Sequence, residues 1–147
     1  MAVASSRKYS ILRRPTVATG WAGWLVTVDH KRIGILYGVT SVLFFLLGGL
    51  EAITLRLQLS HPDNSLVSPD VFSQLFTMHA LTMIFLAIMP LSVAFFNIII
   101  PLQIGARDVA FPRLNALSYW VYLFGGLLLN AGWFFGRAPG AGWFAYS

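Results

Sequence analysis

The stretch from Val71 to Pro101, VFSQLFTMHALTMIFLAIMPLSVAFFNIIIP, is almost unbroken apolar sequence. A helix of ~20 apolar residues crosses a bilayer core, so this stretch is more than long enough to span one. Pro90 in its interior removes a backbone hydrogen bond, and the extra length calls for a tilt or a kink there. One ionisable side chain, His79, stands inside it near one end. Ionisable groups at membrane depth are costly and mark functional sites by default.

Composition agrees with that reading. Of the 147 residues 57% are hydrophobic and only 10% charged, with mean hydropathy +0.72, whereas soluble domains carry about 25% charged residues. A chain this short cannot bury a large water-excluded core by itself, so its helices must pack on one another or on another subunit. The absence of cysteine excludes a disulfide framework, a thiolate metal site and a covalently attached c-type heme. The net charge of +5 does not point to nucleic acid. Arg7, Lys8, Arg13, Arg14, Lys31 and Arg32 all precede the first apolar run, and in a membrane protein that placement sets orientation.

Residues 1–25 read as a basic cytoplasmic arm closed by the interfacial anchors Trp21 and Trp24, with no apolar core of a cleaved signal peptide. Three spans are expected over about 33–55, 72–100 and 114–135. Gly34, Gly38, Gly48 and Gly49 would let the first approach its neighbours closely. The linkers HPDNSLVSPD (61–70) and LQIGARDVAFPR (102–113) carry the Pro, Asp, Asn and Gly of loops. Only the second of these is basic, so the positive-inside rule puts the N-terminus and Asp108 inside, and Arg56, His61 and the C-terminus outside. The fold class expected is an all-α polytopic transmembrane bundle, with His79 roughly 10 Å below the outer surface.

Several residues could carry chemistry. The neutral imidazole of His79 can bind heme iron through one nitrogen while the other donates to a carbonyl or hydroxyl that fixes the ring; Gln74, Thr77 and Thr82 are local candidates for that support. The alternative is a structural histidine bonded between helices. Asp108, flanked by Asn97 and Asn115, can hold ordered waters that relay protons, or be a surface aspartate answered by Arg107 or Arg113. Glu51 and Arg56, near the end of the first span, can both reach the interface, since long side chains extend toward water at helix ends. Phe124, Trp133, Phe134 and Phe135 read as lipid-facing or interfacial packing, and Trp143 and Tyr146 as interfacial belt.

The runs TVDHKRIGILY (27–37), GGLEAITLRLQL (48–59), QLFTMHALTMIF (74–85) and PLQIGARDVAFPRLNALSYW (101–120), with the closing AGWFAYS, resemble subunit I of heme-copper terminal oxidases. The resemblance runs from about Trp21 to the end. It implies that His79 is an axial ligand of the low-spin heme and that Arg56 contacts a substituent at that heme's outer edge. It implies that Asp108 is the inner mouth of a proton-uptake channel whose waters Asn97 and Asn115 hold, and that Trp143 donates to a propionate of the high-spin heme. The function implied is part of the catalytic subunit of a respiratory oxidase reducing oxygen to water with coupled proton pumping, in a bacterial plasma membrane.

The departures from that family are equally informative. The second low-spin ligand, the high-spin heme's histidine, the copper-binding histidines and the cross-linked tyrosine have no counterparts among the three histidines and five tyrosines here. The high-spin heme and copper are therefore expected in the remainder of the subunit, on a longer chain or another polypeptide. Other implied partners are a copper-carrying subunit II, subunit III and the electron donor. Leu47 and Val71 stand where quinol-using members have arginine and histidine, and Glu51 where they often have aspartate, a departure that favours cytochrome c as donor; the low-spin heme implied is heme A. A quinol oxidase, and a non-catalytic remnant with a structural role, are the alternatives.

Overall fold

The computed structural model describes residues 20–146, so most of the expected basic arm lies outside the described residues. Those that are described form helices and connecting turns, with no strand. A short helix α1 (Ala22–Leu25) leads into α2 (His30–Gln58). Asp29 caps α2 by accepting from the Lys31 amide at 3.0 Å. A continuous helical run then follows: α3 (Pro69–Leu81), a π-helical stretch Thr82–Ile88, and α4 (Met89–Gln103). Ser68 accepts from the Val71 amide and Pro69 occupies the first turn, where its missing N–H costs nothing. The last helix, α5 (Pro112–Ala131), also opens on a proline. Trp133, Phe134 and Phe135 lie in turns beyond it.

Two helical segments, His30–Gln58 and Pro69–Gln103, are long and apolar enough to cross a membrane. At 1.5 Å per residue their 29 and 35 residues reach roughly 43 and 52 Å. The 20 residues of α5 are interrupted by Arg113, Asn115, Ser118 and Asn130. Large apolar side chains point outward on every helix, among them Leu43, Phe96 and Leu128, faces that only lipid or more protein can cover.

The central element is α2, which packs on α3, on the π-helical stretch, on α4 and on α5. Its contact with α4 is close because Gly34 has no side chain: a Cβ there would stand 2.7 Å from Ile98 Cγ1 and 3.1 Å from the Ala94 carbonyl. Around that seam Ile33, Tyr37, Ala94 and Tyr119 form the buried core. Tyr37 stands edge-on to Tyr119 and stacks on Tyr122, each with ring centroids 5.2 Å apart.

The expected disturbance at Pro90 takes a definite form. Proline has no N–H to give the Leu86 carbonyl four residues earlier, and the preceding turns widen until Met89 N–H bonds to the Ile84 carbonyl five residues back. Tyr122 on α5 donates its hydroxyl to the Leu86 carbonyl at 2.8 Å. A buried carbonyl left unmade is costly, so this side-chain donor replaces the one that proline removes. Tyr122→Phe should therefore destabilise the protein by about 1–2 kcal/mol, visible as a lower thermal unfolding midpoint in detergent.

Candidate functional site

His79 occupies the last turn of α3, where its half-buried ring faces α2. Its Nδ1 lies 2.8 Å from the Gly48 carbonyl. A carbonyl can only accept, so Nδ1 carries the proton and Nε2 presents a lone pair on the other side of the ring. No other hydrogen bond engages this ring among the described residues. That is the arrangement an axial imidazole needs: one nitrogen for the metal, the other held by a backbone acceptor that fixes tautomer and ring plane. The residues present therefore fit a heme iron on the Nε2 side.

Gly48 is what lets α3 come this close. A Cβ at position 48 would meet Met83 Sδ at 2.8 Å and Thr82 Cγ2 at 3.4 Å. The side chains expected to support the ring do other work. Thr77 donates to the Ser73 carbonyl and accepts from the Gly142 amide. Gln74 accepts from the Ala138 amide at 3.1 Å. Together they tie the segment after α5, which carries Trp143, to α3. Trp143 itself is half exposed and packs edge-on against Phe144.

Arg56 sits in the last turn of α2, exposed. It lies eight residues beyond Gly48, roughly 12 Å along the axis, and among the described residues no hydrogen bond joins it to His79. Glu51 is not exposed as its neighbour Arg56 is, which overturns the expectation that both extend toward water. It is 6% exposed, because its position is on the face of α2 that packs against the second helical run.

At the other end of α2 the structure gathers Asp108, Asn97 and Asn115. Asn115 donates its amide N–H to Asn97 Oδ1 at 2.7 Å, and Asn97 donates in turn to the Val93 carbonyl. Asn97 and Asp108 line one cleft of about 400 Å³ with Phe96, Ile100 and Ile104. The Asp108 side chain is only 11% exposed, and its Oδ1 accepts from His30 Nδ1 at 2.9 Å and from the Val109 amide. Beyond the asparagines, Ser118 donates to the Asn115 carbonyl and accepts from Tyr37, while Thr40 and Tyr119 pair through their hydroxyls at 3.1 Å. Polar groups thus run inward from Asp108 between α2, α4 and α5.

His30 is the residue that sequence reasoning missed. It is buried at 3% exposure, its Nδ1 holds Asp108, and its Nε2 has no hydrogen-bond partner among the described residues. It stands 78 positions before Asp108, and the only available signal was a histidine in a charged collar. Gly48→Val should drive α2 away from Met83 and lower stability by about 1–3 kcal/mol, measured as a drop in the thermal midpoint.

The family model for cytochrome c and quinol oxidase polypeptide I matches residues 32–147. Cytochrome c oxidase subunit 1 of Bacillus sp. (strain PS3) is 53% identical over 138 residues, which are 94% of this chain and 22% of that protein. The protein of the same name in Bacillus subtilis (strain 168) is 55% identical over 124 residues, 84% of this chain and 20% of its own length. Quinol oxidase subunit 1 of the same organism is 42% identical over 126 residues, 86% of this chain and 19% of that one. The chain thus spans about a fifth of the length of the curated relatives it matches.

Proposed function

The chain belongs to the cytochrome c and quinol oxidase polypeptide I family, and from that premise we propose that it is the heme-bearing and proton-admitting N-terminal part of the catalytic subunit of a respiratory terminal oxidase. The whole enzyme would reduce oxygen to water and pump protons across a bacterial plasma membrane. Three spans with the N-terminus and Asp108 inside and the C-terminus outside fit the basic residues before α2 and at Arg107 and Arg113. The higher identity to relatives named cytochrome c oxidase than to those named quinol oxidase, with Leu47 and Val71 apolar, favours cytochrome c as donor and heme A as the group.

The observation that carries this reading is the His79 Nδ1 bond to the Gly48 carbonyl, because it leaves Nε2 as the metal-binding nitrogen. A low-spin heme bound there would supply one-electron transfer. The protein would orient it: the Gly48 carbonyl fixes the imidazole plane, Arg56 reaches the heme's outer edge, and the Gln74 and Thr77 anchors carry Trp143 toward a propionate of the second heme. That second heme, the copper and the missing histidines belong to the remainder of the subunit. Subunits II and III complete the complex.

Protons would enter at Asp108. Its carboxylate, held by His30, opens on the cleft that Asn97 shares, and the Asn97–Asn115 pair supplies an amide and a carbonyl oxygen to hold waters in line. Neither amide carries an exchangeable charge at neutral pH, so these side chains position the water and the water moves the proton.

His79→Ala in the assembled oxidase should abolish the low-spin heme absorption band; a dithionite-reduced spectrum identical to wild type would exclude His79 as ligand. It would then favour the non-catalytic reading, in which loss of His79 is tolerated. Asp108→Asn should slow turnover and proton uptake at least tenfold while both hemes remain, and reconstituted vesicles in which that variant pumps at the wild-type rate would remove the entrance from Asp108.

A further inference from the structure

Glu51 is the one acidic side chain buried inside α2, and neither the ligation of iron nor the entry of protons at Asp108 uses it. Both of its carboxyl oxygens are fully buried with no hydrogen-bond partner among the described residues, and so is the hydroxyl of Thr82, a residue with 0% exposure. The Thr82 hydroxyl and the Trp133 indole face the carboxyl group without closing a hydrogen bond to it. Asn130, one turn before Trp133, likewise leaves its side-chain oxygen buried and unbonded.

No cation answers this acid among the described residues. On α2 itself Arg56 is five positions on, about 140° around the helix, and exposed. The titratable group of α3 nearest in the fold is His79, whose partner Gly48 is one turn from Glu51. The π-helical stretch offers only Thr82, and the segment after α5 offers Trp133 before the exposed Arg137. An ionised carboxylate needs a cation or several donors when it is shielded from water, and in a bilayer no solvent substitutes for them. This acid has neither.

We propose that Glu51 is a neutral, proton-carrying carboxylic acid, and that it forms an internal proton-binding site coupled by charge to the iron at His79. The coupling rests on the assignment of His79 as ligand. A heme iron held by His79 would supply a one-electron change of charge beside this site. Glu51 would hold its proton more tightly against the less positive, reduced site and would release it toward the aqueous phase when that site is oxidised. The rigid turn Gly48–Glu51 sets the distance over which the two charges act, and the low local polarity keeps them from being screened.

The test uses the assembled oxidase on an electrode, poised reduced and then oxidised, and reads infrared difference spectra together with the potential of the low-spin heme across pH. Wild type should show a carboxylic C=O band that changes with redox state. Glu51→Gln should lose that band and flatten the pH dependence of the potential, with the low-spin absorption intact. Glu51→Asp, which keeps the acid, should restore both with the band displaced. A redox-sensitive carboxylic band and a pH slope that Glu51→Gln leaves unchanged would overturn the proposal. Failure of the ligand assignment reads out separately, as a low-spin band that survives His79→Ala.

Discussion

A backbone carbonyl cut off from water must find a donor inside the protein, and two carbonyls on neighbouring helices determine how this chain packs. The Gly48 carbonyl accepts from His79. The Leu86 carbonyl, deprived of its donor by Pro90, accepts from Tyr122. Each bond crosses from one helix to another, so each fixes a rotation as well as a distance. The first sets α3 against α2 and the second sets α5 against the widened turns before α4. Glycine at 34 and 48 makes the approach possible, because a Cβ at either position would overlap a neighbour below 3 Å.

The same two devices separate packing from chemistry. Tyr122 satisfies a carbonyl that proline has freed and packs against Tyr37, and both roles are structural. His79 satisfies a carbonyl too, yet the bond uses only one of its two nitrogens and specifies the tautomer of the other. A structural histidine between helices and a metal ligand share that first bond. What differs is the second nitrogen, and no side chain or carbonyl takes it among the described residues. In the proposed reading that nitrogen is the one that would meet the iron.

Much of this was legible in the sequence, and the parts that were not share a cause. Apolar runs and the polar linkers between them announce the helices, because these are local signals; the starts at Pro69 and Pro112, read as loop residues, were not announced. The Asn97–Asn115 pair was legible as a constellation from its spacing around Asp108. By contrast, the His30–Asp108 bond spans 78 residues of sequence, and nothing near His30 distinguishes it from an exposed collar residue. Glu51 read as a side chain near a helix end, since its distance from the end of α2 allows it to extend into water. Its burial depends on which face of α2 meets the π-helical stretch, a rotation that Gly48 and Thr82 set and that periodicity alone does not. The support for His79 was sought in nearby hydroxyls, and it comes instead from a main-chain carbonyl 31 residues away.

One helix face joins the two ends of the molecule. The residues of α2 that are buried include His30, Gly34, Tyr37, Ser41, Phe44, Gly48 and Glu51, a series at the three- and four-residue steps of one helical stripe. His30 at its start holds the acid that lines the polar cleft. Gly48 near its end holds the imidazole, and Glu51 lies one turn further. His30 and Gly48 are 18 positions apart, roughly 27 Å at the helical rise, and the intervening stripe is packed by tyrosine rings and closed against α4 by Gly34. A rigid, close-packed stripe cannot adjust one end without loading the other, since a turn of α2 that shifted Gly48 would also shift the ladder that places Tyr37 and His30. In the proposed reading this gives α2 a mechanical part beyond its residues' individual roles: the ring that would meet the iron and the carboxylate that would admit protons are held by one element, in fixed register.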